Sequence, residues 1–489
     1  MLFNSHIFIL LFLPLLLTGW YFLNWKKKFQ LAQGYLIGMS LWFYAYANLQ
    51  YLWLLLFSCL IGWLLSCLPE KIFSEKGKKV LTGVGCVFHL GLLGYFKYSN
   101  FFLENLNTVF HTDFPMLQIL LPVGISFYTF QQLAYLIDRC RGDAPRDSFF
   151  DYLTFMVYFP QLLQGPILLR SEFMGQLKEP ERRRFHAERF SEGIQFFVFG
   201  LAKKVLLADT LAKAVNYGYS NVSMLDSISA LLLAVGYLTE LYFDFSGYCD
   251  MAVGLGKMIG LEVAENFDAP FHSASVKEFW RRWHMTLGRF FTRYVYIPLG
   301  GNRRGKMRTL CNVMIVMLLS GLWHGAAWTF VLWGFLHGVG MIWDNLEHPH
   351  LPKKWMRQAA TFAYVCMTFV FFRAESIAQG FDVLKSIVSL KWNGFVFQMA
   401  SALDMTEFYM ITKALSMKLP GLLSWFWLGI FVVLIAICFR VLSGEKVSGV
   451  VALQRQKGYG RLYPVLLAVL FTWSMISMTG VSEYLYFSF

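Results

Sequence analysis

Long apolar runs recur along the chain at about the length of a bilayer crossing, and short polar or basic connections separate them. A spanning helix needs about 20 predominantly apolar residues, fewer where the bilayer is thin. The pattern predicts twelve such helices, over residues 7–24, 30–47, 49–68, 80–97, 116–137, 190–208, 228–245, 310–323, 325–343, 359–372, 425–439 and 463–479. The connections agree with that count. Every second one is basic, at 26–28, 71–79, 139–141, 277–308, 353–357 and 440–461, as expected of loops that stay in the cytoplasm. The alternation puts both termini outside. Residues 152–169 are also apolar, yet arginines flank them on both sides, and Phe159-Pro160 and Gly165-Pro166 interrupt a helix there. That segment is predicted to be re-entrant, at membrane depth only where protein buries it.

No fixed-period repeat, heptad or low-complexity linker divides the chain. The expected organisation is all-α and polytopic, one integral membrane domain over 1–489. Within it, N-terminal helices run over 1–275, a basic cytoplasmic segment and two helices over 276–345, and C-terminal helices over 346–489.

Composition narrows the class. Of 489 residues, 57% are hydrophobic and only 15% charged, whereas soluble domains carry about a quarter charged residues. Such a chain cannot cover a soluble globule, and it is too apolar for disorder. The net charge is +13, from 43 Lys and Arg against 30 Asp and Glu. Cytoplasmic loops account for that excess, so membrane lipid rather than nucleic acid is the expected neighbour. No basic residue precedes the first apolar run and no small-residue cleavage site follows it, so the run reads as a span and not as a removed signal peptide. Cysteines at 59, 67, 86, 140, 249, 311, 366 and 438 form no C-x-x-C pair and mostly lie in apolar runs. Neither a structural disulfide nor a zinc site is expected.

Three constellations carry candidate chemistry. Asp244 and Asp250 are carboxylates at or near membrane depth, where ionisable groups are costly; they either serve a substrate or pair with Lys or Arg near a helix end. The glycines at 254, 256 and 260 have the wrong spacing for a nucleotide fingerprint. Segment 277–308 carries nine basic residues, one acid (Glu278) and interleaved aromatics. It is either an interfacial loop held by anionic lipid or a basic vestibule for a phosphate-rich thioester. Gly300–Lys306 fits G-x-x-x-x-G-K, but Met307 stands where Ser or Thr must hold magnesium. Within the same segment His284 lies between Trp283 and Met285.

The third constellation is Gly321-Leu322-Trp323-His324-Gly325, in the middle of a long apolar stretch. Small residues there let other backbones or a substrate come close. A buried, neutral His324 is either a packing residue or a base that takes a proton from a hydroxyl and returns it to a leaving group. His337 is a weaker candidate, and His348 with His350 make a weak metal signal. H-E-x-x-H and G-x-S-x-G are absent, which disfavours metalloprotease and α/β-hydrolase chemistry.

Five stretches carry a family resemblance: FYTFQQLAYLIDRCRGD at 127–143, YFPQLLQGPILLRSEF at 158–173, YFDFSGYCDMAVGLG at 242–256, EFWRRWHMTLGRFFTRYVYIPLGGNRRG at 278–305 and GLWHGAAWTFVLWGFLHG at 321–338. In that order they resemble the membrane-bound O-acyltransferase family, in particular its bacterial alginate and peptidoglycan O-acetyltransferase membrane components. The resemblance runs from the first span to about Glu375. It implies a ring of helices around a thin central partition, with funnels from both faces meeting near a catalytic histidine. His324 matches that histidine, and His284 matches the second family position.

The resemblance further implies an enzyme of the bacterial inner membrane that takes acetyl from acetyl-CoA, without a metal. It would serve O-acetylation of an envelope or exported polysaccharide, directly or through an extracytoplasmic SGNH-type partner. The catalytic expectation is His324, as general base or as transient acyl acceptor, and His284, which positions the thioester or assists proton transfer. The substrate-binding expectation is Arg281, Arg282, Trp283, Arg289, Arg293, Asn302, Arg303, Arg304, Trp323 and Asp244. The competing readings are teichoic-acid D-alanylation, whose members are usually shorter, and a transporter or channel with no covalent step.

Overall fold

A computed structural model describes residues 1–46, 49–67, 75–346, 353–442, 446–457, 460, 462–478 and 484–485. Every regular element among them is helical. Among the described residues six helices are long and apolar enough to cross a membrane: Phe8–Trp25, Gln50–Cys67, Lys76–Phe110, Ser227–Ile259, Lys306–His324 and Pro420–Val441. Other expected spans fall on the shorter or less apolar helices Phe29–Ala45, Ala187–Ala202, Trp328–Leu346, Lys354–Arg373 and Leu462–Ser477.

One run differs from expectation. Residues 116–124 are not helical, and the helix begins only at Ile125. Pro115 and Pro122 remove backbone donors there, and Gly124 turns the chain at φ +77°. A Cβ at Gly124 would stand 2.5 Å from the Leu162 carbonyl oxygen, so only glycine fits both the angle and the contact.

The proline-interrupted segment shows how irregular backbone is accommodated away from water. Helix Phe149–Val157 stops at Tyr158, a single turn Phe159–Leu162 follows, and no regular structure forms again before Arg170. Residues 154–169 are all buried. Backbone groups freed by the breaks find side chains, as buried ones must: Gln161 Nε2 donates to Phe155 O at 2.5 Å and Ile167 N–H to Thr286 Oγ1 at 3.0 Å. Thr286 is fixed in turn by Asn266 Oδ1, which accepts from its N–H and its hydroxyl.

The chain divides into two compact units. The first takes residues 1–198, 248–266 and 286–298, and includes the broken segment; the second takes 199–247, 267–285 and 299–489. Both candidate catalytic histidines belong to the second.

Candidate active site

His284 sits at a reversal between two short helices. Helix Val276–Arg282 starts at Ser275, whose hydroxyl accepts from Glu278 N–H at 3.1 Å, the usual cap that satisfies a free first-turn donor. Glu278 also accepts from Ala274 N–H at 2.8 Å and pairs with Arg282 at 2.8 Å. The helix ends at Trp283, and His284 adopts φ +45° before the next helix, Met285–Phe291. Few residues other than Gly, Asn, Asp and His take that left-handed angle, and such positions concentrate at functional sites.

His324 is the last residue of Lys306–His324, where the extended Gly325 ends the helix before Trp328–Leu346 begins. These two helices pack backbone against backbone. A Cβ on Gly321 would lie 2.3 Å from Phe330 O, and one on Gly334 2.5 Å from Met317 O. The small-residue spacing around His324 therefore serves close helix approach. Gly334→Val should cost about 1–3 kcal/mol through overpacking, whereas Gly91→Val, with nothing within 4 Å of its added Cβ, should be near neutral. Thermal unfolding of both in detergent checks this; equal midpoints would refute the packing account.

Aromatic rings enclose the pair. The His284 and His324 ring centroids are 6.4 Å apart. Phe245 lies 4.7 Å from His284, and Trp323, Trp333 and Phe372 lie 4.9, 5.1 and 5.1 Å from His324. Both histidines are buried, at 1% and 4% exposure. Burial pushes the His284 imidazole down to about 3, so it is neutral at physiological pH.

His337 is drawn into the same cluster, although its sequence context singled it out only weakly. Trp280 Nε1–H donates to His337 Nδ1 at 3.2 Å. The other ring nitrogen of a neutral imidazole then carries the hydrogen, and His337 Nε2 donates to Thr368 Oγ1 at 2.9 Å. Thr368 passes its hydroxyl hydrogen to Val365 O at 2.8 Å. This chain orients Trp280 and, through ring contacts at 5.6 and 4.8 Å, Trp333. The signal in the sequence was Trp333 and His337 at i,i+4 on one helix face.

The basic segment splits into engaged and available cations. Arg289 pairs with Glu172 and donates to Ile167 O at 3.0 Å. Arg293 bridges Asp138 at 2.9 Å and Asp143 at 3.0 Å. Both arginines belong to the first unit and fasten its loops there. Lys277 holds Asn345, and Arg282 is taken by Glu278. By contrast Arg281, Arg303, Arg304, Lys306 and Arg308 are exposed and make no ion pair among the described residues. Residues 300–305 turn through three left-handed glycines, Gly300, Gly301 and Gly305, with Asn302 exposed between them. Asn312 Nδ2 donates to Gly301 O at 2.9 Å and fixes that turn.

Trp283 and Trp323 are buried among aromatics. Trp283 stacks on Phe279 at 5.4 Å, and Trp323 meets His284 at 6.1 Å. Asp244 accepts from Lys204 Nζ at 2.5 Å and Leu485 N–H at 3.1 Å, so the pairing alternative describes it. Asp250 is half-buried in the first unit. His348 and His350 lie outside the described residues. Among the described residues no group of three or more His, Cys, Asp or Glu is placed to hold a metal ion.

Known proteins match most of this chain. The sequence profile of the membrane-bound O-acyltransferase family matches residues 141–380. A peptidoglycan O-acetyltransferase of Helicobacter pylori is 36% identical over 423 residues, 80% of this chain and 80% of that protein. The "probable alginate O-acetylase AlgI" of Azotobacter vinelandii is 39% identical over 389 residues, 77% of this chain and 76% of that protein. A teichoic acid D-alanyltransferase of Streptococcus thermophilus is 28% identical over 253 residues, 49% of this chain and 58% of that protein.

Proposed function

The chain belongs to the membrane-bound O-acyltransferase family, and from that premise we propose that this integral membrane O-acyltransferase moves acetyl from cytoplasmic acetyl-CoA for O-acetylation of an envelope polysaccharide. The reading includes twelve crossings in a ring around a thin partition, both termini outside, and delivery to the polymer directly or through an extracytoplasmic SGNH-type partner. One observation carries it: two buried histidines 6.4 Å apart in an aromatic enclosure, at the end of a helix pair packed through glycines. His324 takes the proton of the acceptor hydroxyl as its oxygen attacks the thioester carbonyl. The C–S bond breaks, and the proton passes to the departing thiolate. His284 positions the thioester or assists the proton transfer.

The exposed cations Arg303, Arg304, Lys306 and Arg308 receive the donor's phosphates in this reading, whereas Arg289 and Arg293 hold the protein together. A charge-assisted contact is worth about 1.5 kcal/mol, roughly tenfold in affinity. The double variant Arg303→Gln/Arg304→Gln should therefore raise the acetyl-CoA KM by about tenfold or more with kcat retained. Arg289→Gln should lower thermal stability and leave that KM near wild type. Initial rates against acetyl-CoA concentration, beside melting curves, test the split; a KM unmoved by the double variant would remove the donor from this loop. D-alanyl transfer is the second reading, and it rests on relatives that match about half of this chain.

A further inference from the structure

One buried donor in the same unit has no part in the chemistry assigned to the histidines. The Trp333 side chain is 0% exposed, and its Nε1–H has no hydrogen-bond partner among the described residues. An indole nitrogen donates and cannot accept. Native interiors pair nearly all such groups, and keeping one from water without an acceptor is costly.

The rings packed on Trp333 do not supply that acceptor. Trp280, His324, His337, Phe369 and Phe372 surround it, with centroids 5.6, 5.1, 4.8, 5.5 and 5.0 Å away. The two phenyl rings carry no lone pair. Trp280 is itself a donor, spent on His337 Nδ1 at 3.2 Å, and His337 Nε2 is engaged by the Thr368 hydroxyl at 2.9 Å. Trp333 meets His324 edge to face, with the ring planes at 87°, so its hydrogen belongs to the wall of the enclosure against that imidazole.

The ring is also held in place. Gly334, its neighbour in the chain, lets the two helices touch, since an added Cβ there would lie 2.5 Å from Met317 O. His337 and Phe372 pack on the indole as well. A donor fixed in this way needs no rearrangement when charge develops beside it, which is what makes such donors effective in acyl transfer.

We propose that Trp333 is a catalytic residue whose indole N–H donates to the thioester carbonyl oxygen next to His324. The proposal rests on the acyl-transfer reading above. As the acceptor oxygen bonds to the carbonyl carbon and His324 takes its proton, the C=O π electrons move onto the carbonyl oxygen, and the Trp333 hydrogen bond stabilises that oxyanion. When the oxyanion collapses, C=O re-forms, C–S breaks, and His324 returns the proton to the thiolate.

The test uses full-length protein in nanodiscs with [1-13C]acetyl-CoA. Two variants remove the donor: Trp333→Phe, and Trp333→3-benzothienylalanine, which puts sulfur in place of N–H in a ring of nearly the same size and so guards against a packing defect. With methyl N-acetylglucosaminide as acceptor, each should lower kcat about 10²–10³-fold, the effect of losing one such donor, with the acetyl-CoA KM near wild type. Infrared spectra of the bound thioester without acceptor should place the labelled carbonyl band at lower frequency in the wild type than in either variant, because a hydrogen bond weakens C=O. Phe372→Leu, which removes a ring beside His324 but no donor, should leave the band at its wild-type position.

A benzothienyl variant with wild-type kcat, or a carbonyl band that neither Trp333 variant moves, would overturn the oxyanion role and leave Trp333 as packing. A wild type that consumes no thioester would overturn the acyl-transfer reading instead.

Discussion

His324→Ala should yield a folded, membrane-inserted protein that has lost about 10²–10⁴-fold of its acyl-transfer rate, the usual contribution of a general base. Folding should survive because the elements around His324 are held by other contacts. Gly321 and Gly334 set the approach of the two helices, and the Trp280–His337–Thr368 hydrogen bonds hold the neighbouring rings. What the substitution removes is the one imidazole to which the reading gives the proton. His284 needs a different substitution. Its φ of +45° is tolerated by asparagine far better than by most residues, so His284→Asn removes the imidazole without adding backbone strain. Rates of thioester consumption, read beside size-exclusion profiles and melting curves, separate lost chemistry from lost fold. A well-folded His324→Ala with normal turnover would end the general-base assignment.

Lys204→Met should be among the most destabilising single changes in the protein, at about 3–5 kcal/mol. Its ammonium group is almost fully buried and pairs with two carboxylates, Asp209 and Asp244. The methionine would leave both acids without that cation in a water-poor interior, the costly way to break a buried pair. Asp244→Asn should cost less, because Lys204 keeps Asp209. Lys204 also lies over the Tyr484 ring at 4.5 Å, and Asp244 holds Leu485 N–H, so both variants should loosen residues 484–485. Thermal unfolding and proteolysis of that segment measure this. Lys204→Met as stable as wild type, or less harmful than Asp244→Asn, would contradict the account.

Much of this was legible in the residues themselves. Hydrophobic run length located most of the helices, since apolar length is what a bilayer selects. Gly321, Gly325 and His324 stood out because glycines and an ionisable group are conspicuous in an apolar stretch. Prolines at 160 and 166 marked the breaks in the buried segment. Other features depend on contacts that the linear order hides. Arg289 and Arg293 looked like ligands for phosphate, yet their carboxylate partners stand more than a hundred residues away, and no local pattern announces such pairs. Run 116–137 read as one span because its leucines outweigh Pro122 and Gly124 in any average over the window.

The central claim is that this chain breaks a thioester with its own histidine. It is tested most directly by incubating purified wild-type protein and His324→Ala in nanodiscs with acetyl-labelled coenzyme A and a hydroxyl acceptor, either a soluble glycoside or the extracytoplasmic partner protein, and following free thiol and label together. The account predicts thiol release by the wild type that falls at least about 100-fold in the variant, with no label retained on the protein. Equal release by both proteins, or none by a wild type that binds the thioester, would contradict it.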